Sequence, residues 1–214
     1  MPKYYPVNLN LENKKCLVVG GGVVAERKVK RLLECHAKVL VVSPKVTLTL
    51  RYLIKNRKIL YRQSHINLRD INKAFVVISA TGDRRINHLV SLYCRKHGIL
   101  VNVVDSPDEC NFVLPSILRR GNLCLAVSTD GISPALAKQI RLKLEKEIGT
   151  EYAKFLKIMS VYRAKVTARV CDLKKRKKIF QKLINSFALA QIRRGKLSLA
   201  KKTLISILKK EHIL

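Results

Sequence analysis

The chain has 214 residues, 48% of them hydrophobic, which is enough for one ordinary domain and a smaller companion. Its 44 Lys and Arg against 14 Asp and Glu leave a net charge of +30, a surface that attracts polyanions such as nucleic acid, anionic lipid or a polycarboxylate without choosing among them. No two of the six cysteines (Cys16, Cys35, Cys94, Cys110, Cys124 and Cys171) are spaced as C-x-x-C, and no uncharged apolar run reaches the ~18 residues of a bilayer span. The cysteines therefore read as small buried hydrophobes in a reduced, cytoplasmic protein without a zinc site.

In chain order, Lys15 to Val19 is a short apolar strand, followed by a helix over Ala25 to Cys35 with apolar Ala25, Val29, Leu32 and Leu33 at helical spacing. Lys38 to Val42 is a second strand, stopped by Ser43-Pro44, and Leu48 to Asn56 a second helix. A weak strand at Ile59 to Tyr61, a strong one at Ala74 to Ile78, a helix over Arg84 to His97 and a strand over Ile99 to Val104 complete the first half. Strands alternate with helices, and the strands are continuously apolar rather than alternating. That pattern predicts an α/β, doubly wound parallel sheet covered on both faces, with its ligand crevice at the carboxyl ends of the strands. Beyond residue 112 the pattern changes. Asn122 to Ser128 reads as a strand outside that sheet, and Ser133-Pro134 opens a helix to about Ile148 as N-cap and first helical residue. From Glu151 onward only helices are expected, carrying 18 Lys and Arg against three acids. Domain changes are placed near residues 113 and 150.

Val18-Val19-Gly20-Gly21-Gly22-Val23-Val24-Ala25 fits G-x-G-x-x-A between a strand and a helix, which is the context that turns a glycine motif into a dinucleotide fingerprint of the Rossmann type. Gly20 permits the tight turn, Gly22 lets the backbone approach a pyrophosphate, and Ala25 permits close packing of helix on strand. The pyrophosphate is expected on the free N–H groups at the helix start. The acid that usually ends the second strand is missing: the chain reads Val42-Ser43-Pro44-Lys45. Ser43 is the expected ribose contact, and on physical grounds both NAD and NADP stay open.

These blocks, with Asn102-Val103-Val104-Asp105, then Asn111-Phe112 and Pro115, then Ala126 through Ala137, resemble the precorrin-2 dehydrogenase / sirohydrochlorin ferrochelatase family, the N-terminal module of siroheme synthase, over roughly residues 5–150. The resemblance implies NAD-dependent oxidation of precorrin-2 to sirohydrochlorin, with Fe²⁺ as substrate of a further step in some members, NAD rather than NADP, and a homodimer. With the pattern changes near 113 and 150, the chain is expected to divide into an NAD-binding domain (1–112), a segment (113–149) to which the resemblance assigns dimerisation, and a basic helical domain (150–214). The uroporphyrinogen methyltransferase domain that some members carry has no counterpart within these 214 residues. Asp105, ending an apolar strand at the carboxyl edge of the sheet and expected to face the crevice where the nicotinamide lies, matches the family's important acid and is expected to accept a proton as hydride leaves the substrate. Its plainer reading is turn chemistry in Asp105-Ser106-Pro107.

Gly20, Gly21, Gly22, Val23, Val24, Ser43, Pro44 and Thr81 are the expected cofactor contacts, with Thr81 alternatively a cap for the helix at Arg84. Ser128 and Thr129 are expected to border the tetrapyrrole, or else serve only as turn and cap residues. None of the five histidines forms a metal-binding pair by spacing, so no metal ligands are assigned. Some C-terminal cations are expected to meet substrate carboxylates, but most are solvated helix faces. The alternative to an enzyme is an NAD-sensing regulatory module, which would need neither Asp105 nor the Ser128–Ala137 block. Nucleic-acid binding is disfavoured, because no reading helix and no aromatic interleaving accompany the charge.

Overall fold

The computed structural model describes residues 4–214. By internal packing the chain divides into two compact units, which meet in sequence at Leu114 and Pro115.

The first unit is a five-stranded parallel sheet of β1 (Lys15–Val19), β2 (Lys38–Val42), β3 (Leu60–Arg62), β4 (Val76–Ser79) and β5 (Leu100–Val103) in the order β3-β2-β1-β4-β5. Leu17 of β1 stands in register with Leu40 of β2 on one side and Val77 of β4 on the other. This is the Rossmann strand order, with its topological switch between β1 and β4. Helices α1 (Val23–Glu34), α2 (Leu48–Lys55), α3 (Leu68–Ile71) and α4 (Arg84–Lys96) form the crossovers.

The unbroken apolar strands are explained by burial on both faces. Cys16 and Val18 pack on one side with Ala25, Val29 and Leu32 of α1. Leu17 and Val19 pack on the other with Val90 and Cys94 of α4. Each such Leu or Val contributes roughly 1.5–3 kcal/mol on leaving water. The expected strands and helices are present with ends shifted by a residue or two. The short helix α3 has no counterpart in the sequence reading, because a single turn leaves no periodicity.

The second unit opens with an antiparallel hairpin, β6 (Ser116–Arg120) and β7 (Leu123–Val127). Its two-residue turn begins with Gly121 at φ +59°, a conformation that glycine adopts without strain. Strand β6 is an addition to the sequence reading: it is short and half-polar, and pairing with β7 stabilises it. Helix α5 (Pro134–Glu147) starts as expected, the Ser133 hydroxyl accepting from the Leu136 amide.

Helices α6 (Glu151–Arg169), α7 (Leu173–Ile184), α8 (Ala188–Arg193) and α9 (Leu197–Lys210) enclose a core that includes Tyr162, Val166, Leu183 and Leu204. The three acids of this stretch serve the fold. Glu151 pairs with Arg193, Glu211 pairs with Lys182, and Asp172 caps α7 by accepting from the Lys174 and Lys175 amides. Among the described residues no helix is long and apolar enough to cross a membrane.

Candidate dinucleotide site

A crevice of about 610 Å³ lies at the carboxyl ends of the strands, on the switch point. Its walls come from the glycine loop after β1, the Ser43–Thr47 segment after β2, Ser64 to Ile66 after β3, and Ala80 to Asp83 after β4. That volume is of the size that holds small ligands.

The three glycines do three different things. Gly20 has φ +116°, donates its amide to Val42 O, and would place a Cβ 2.3 Å from Ala80 O, so the turn and its neighbours both require glycine. At Gly21 a Cβ would lie 2.0 Å from Lys45 O, and the Gly21 carbonyl accepts from the Thr47 amide. Gly21 therefore clamps the segment after β2 onto the glycine loop. Gly22 is the N-cap of α1 in an extended conformation, and a Cβ there would meet nothing within 4 Å. No atom of the described residues demands glycine at 22, and the space its missing side chain leaves opens on the crevice.

Val23 and Val24 open α1, which has no side-chain cap, so its first amides are free to bind an anion. Their side chains are not part of the crevice lining, and Val23 is exposed. Ala25 is fully buried against the sheet, as the fingerprint requires.

Ser43 lines the crevice but is buried, and its hydroxyl donates to Lys45 O at 2.8 Å. Its carbonyl accepts from Tyr61 Oη at 2.9 Å, fixing the end of β2 to β3. Ser43 thus first shapes the loop, leaving its oxygen lone pairs for any ribose contact. Pro44 also lines the crevice. The Glu26 carboxylate accepts from Lys30 Nζ at 2.6 Å and from Thr47 Oγ1 at 2.8 Å, and these bonds hold its pKa below the usual carboxylate range. Thr47 in turn caps α2.

Thr81 lines the crevice and joins a polar knot: its hydroxyl lies 2.7 Å from Asn87 Oδ1, which also accepts from Ser79 Oγ at 2.7 Å. The cap of α4 is Asp83, whose carboxylate accepts from the Arg85 and Ile86 amides, so the capping role considered for Thr81 belongs two residues on.

Asp105 occupies an exposed turn two residues past the end of β5 with φ +59° and, contrary to the crevice-facing position expected for it, is not among the residues lining the crevice, because the chain turns away after Val103. Left-handed backbone at a residue with a side chain costs of order 1 kcal/mol, though Asp tolerates it better than most. The segment that follows is fixed from several sides. Cys110 Sγ accepts from the Val103 amide at 3.1 Å, Ser91 Oγ donates to Glu109 O at 2.6 Å, and Glu109 pairs with His88 at 2.7 Å. Burial pushes the Cys110 thiol up. Half-buried Lys28 on α1 feels the same neighbourhood: burial and then Arg27 lower its pKa, while Cys110 and Asp105 raise it.

Ser128 and Thr129 belong to the second unit and form the turn before α5. Ser128 Oγ lies 3.2 Å from Asp130 Oδ1 and accepts from the Asp130 amide at 3.0 Å, and Thr129 Oγ1 accepts from the Ser133 amide at 3.0 Å. No group of three or more His, Cys, Asp or Glu able to hold a metal occurs among the described residues.

Ser64, His65 and Ile66 line the crevice without any signal in the sequence, and His65 is exposed there. The weak strand before them concealed that β3 ends beside β2. The strand order places that end at the crevice.

Fold and cradle together define a Rossmann-type dinucleotide-binding protein. A family model described as "Putative NAD(P)-binding" matches residues 7–116, and one described as "Sirohaem biosynthesis protein central" matches 120–147. Similar proteins include siroheme synthases of Nitrosomonas europaea (38% identical over 187 residues, 85% of this chain and 38% of the relative) and Thioalkalivibrio sulfidiphilus (37% over 201 residues, 94% and 41%). Among solved structures, "SirC, precorrin-2 dehydrogenase" superposes with a TM-score of 0.81 at 27% identity, covering 96% of this chain and 100% of that one. The chain spans about two fifths of the length of the curated relatives it matches. It belongs to the precorrin-2 dehydrogenase / siroheme synthase family and carries its NAD(P)-binding and central segments.

Proposed function

We propose that the protein oxidises precorrin-2 to sirohydrochlorin with NAD⁺. The observation that carries the cofactor reading is Gly22: a glycine with ordinary dihedrals and open space where its side chain would be, at the uncapped start of α1. Its relatives' names and the full-length match to a precorrin-2 dehydrogenase supply the substrate. The resemblance supplies NAD⁺ rather than NADP⁺ as the physiological acceptor.

When bound, the nicotinamide supplies hydride acceptance. The chain supplies the rest. The amides of the N-cap Gly22 and of Val23 and Val24 at the start of α1 would hold the pyrophosphate against the positive helix end, and Ser43, Pro44 and Thr81 line the nucleoside positions. Asp105 takes the proton that leaves precorrin-2 with the hydride, so the substrate loses two electrons and two hydrogens in total. Ser128 and Thr129 border the tetrapyrrole, and a share of the Lys and Arg pair with its carboxylates. Iron enters only as substrate of a second step, insertion into sirohydrochlorin.

The second unit leaves large apolar side chains exposed near its hairpin and α5, among them Ile132 (70%) and Leu136 (47%). This favours a homodimer that covers them.

The test is incubation of the purified protein with precorrin-2 and NAD⁺ while sirohydrochlorin absorbance is followed, with Fe²⁺ added afterwards. Binding of NAD⁺ without any absorbance change would favour the non-catalytic sensor instead.

A further inference from the structure

We propose that the adenosine end of the crevice accepts a 2′-phosphate, so that the protein binds NADP⁺ within about tenfold of its affinity for NAD⁺. The inference rests on the nicotinamide-dinucleotide reading above and concerns the selectivity of the same site.

Domains that reject NADP⁺ place a carboxylate at the end of the second strand, where it bonds the ribose hydroxyls and repels a phosphate. Here that position is Ser43, neutral and buried, with its hydroxyl proton given to Lys45 O. Among the described residues no other acid takes over the task, and the one carboxylate lining the crevice is Asp83, which belongs to the β4 side and caps α4 through the Arg85 and Ile86 amides. Glu26 is engaged by Lys30 and Thr47, and Asp70 is paired with Arg62.

The wall on the β2 and β3 side instead sets two basic residues and a serine among apolar Pro44, Val46 and Ile66. Lys45, Ser64 and His65 all line it. They are brought to one edge by bonds between the two strand ends. Tyr61 Oη donates to Ser43 O, the Ser43 amide donates to Arg62 O at 3.2 Å, and Gln63 Nε2 donates to Pro44 O at 3.4 Å. The Lys45 backbone is held in turn by Gly21, where any Cβ would strike Lys45 O. A doubly charged phosphate entering here meets a lysine, a hydroxyl and an imidazole, with no like charge among the lining residues of that wall. An ammonium within reach of a phosphate is worth about tenfold or more in affinity.

Isothermal titration of the wild-type protein with NAD⁺ and with NADP⁺ at low ionic strength tests this directly, with binding heat rather than turnover as readout. Dissociation constants within tenfold of each other are expected. Lys45→Glu should weaken NADP⁺ relative to NAD⁺ by a further tenfold or more, because it turns an attraction into a repulsion. Ser43→Asp should shift the same ratio in the same direction. If NAD⁺ binds but NADP⁺ is more than tenfold weaker, the inference fails and the proposed function stands. If neither dinucleotide binds, the cofactor reading itself fails. An unchanged ratio in Lys45→Glu would remove Lys45 from the subsite and overturn the proposal as stated.

Discussion

Gly22→Ala separates the cofactor site from the fold more cleanly than any other change in the glycine loop. Its backbone is extended, at φ −80°, and the added Cβ meets no heavy atom within 4 Å. Alanine there loses up to about 1 kcal/mol as a poorer N-cap and regains roughly 0.4–1 kcal/mol from a stiffer unfolded chain, so the melting temperature should barely move. The methyl group does occupy the crevice where backbone amides must approach the pyrophosphate. Losing one or two charge-assisted hydrogen bonds costs about 1.5–3 kcal/mol, a tenfold to hundredfold rise in Kd for the dinucleotide.

Gly21→Ala is the control, because its Cβ lies 2.0 Å from a backbone oxygen that cannot rotate away. It should lower the melting temperature and affinity together. Calorimetric titration with thermal melts of both variants reads the two effects apart. Wild-type affinity in Gly22→Ala would refute the assignment of that space to the cofactor.

Asp105→Asn keeps the side-chain shape and the left-handed turn, which Asn tolerates as well as Asp. Turnover measured by sirohydrochlorin absorbance should fall about 10²–10⁴-fold while NAD⁺ affinity is unchanged, and normal turnover would reduce Asp105 to a turn residue. Glu26 has its pKa lowered by Lys30 and Thr47, so its contribution to stability is present above its unfolded-state value and is lost as pH falls through the lower folded-state value. Glu26→Gln should flatten the fall in melting temperature through that acidic range relative to wild type. Burial pushes the Cys16 thiol up to about 11 and Cys94 up to about 12, and also raises Cys110, whereas Cys171 is exposed. Native-state alkylation followed by mass spectrometry should therefore label Cys171 first and these three only on unfolding.

Much of the first unit could be read from local pattern. Strands flanked by Gly and Pro carry their own signal when both faces are buried, since every side chain must then be apolar, as in Cys16-Leu17-Val18-Val19. Strand β6 gave no such signal, because Ser116 and two arginines give it the composition of a loop and only its ladder with β7 makes it a strand. The capping alternative for Thr81 fails for a related reason: Asp83 two residues on is an equally good capping type, and in the structure Thr81 bonds Asn87 while Asp83 takes the cap.

The sequence by itself determined the five strands of the parallel sheet, the glycine spacing and the absence of an acid after β2, because each is a property of residues adjacent along the chain. Tertiary structure decided which glycine serves which purpose. Gly20 is fixed by Ala80 and Gly21 by Lys45, from segments about 60 and 24 residues away, and Gly22 is left open to the crevice. It also decided that Ser64 and His65 belong to the crevice, since a strand order of β3-β2-β1-β4-β5 makes neighbours of loops that the chain keeps far apart.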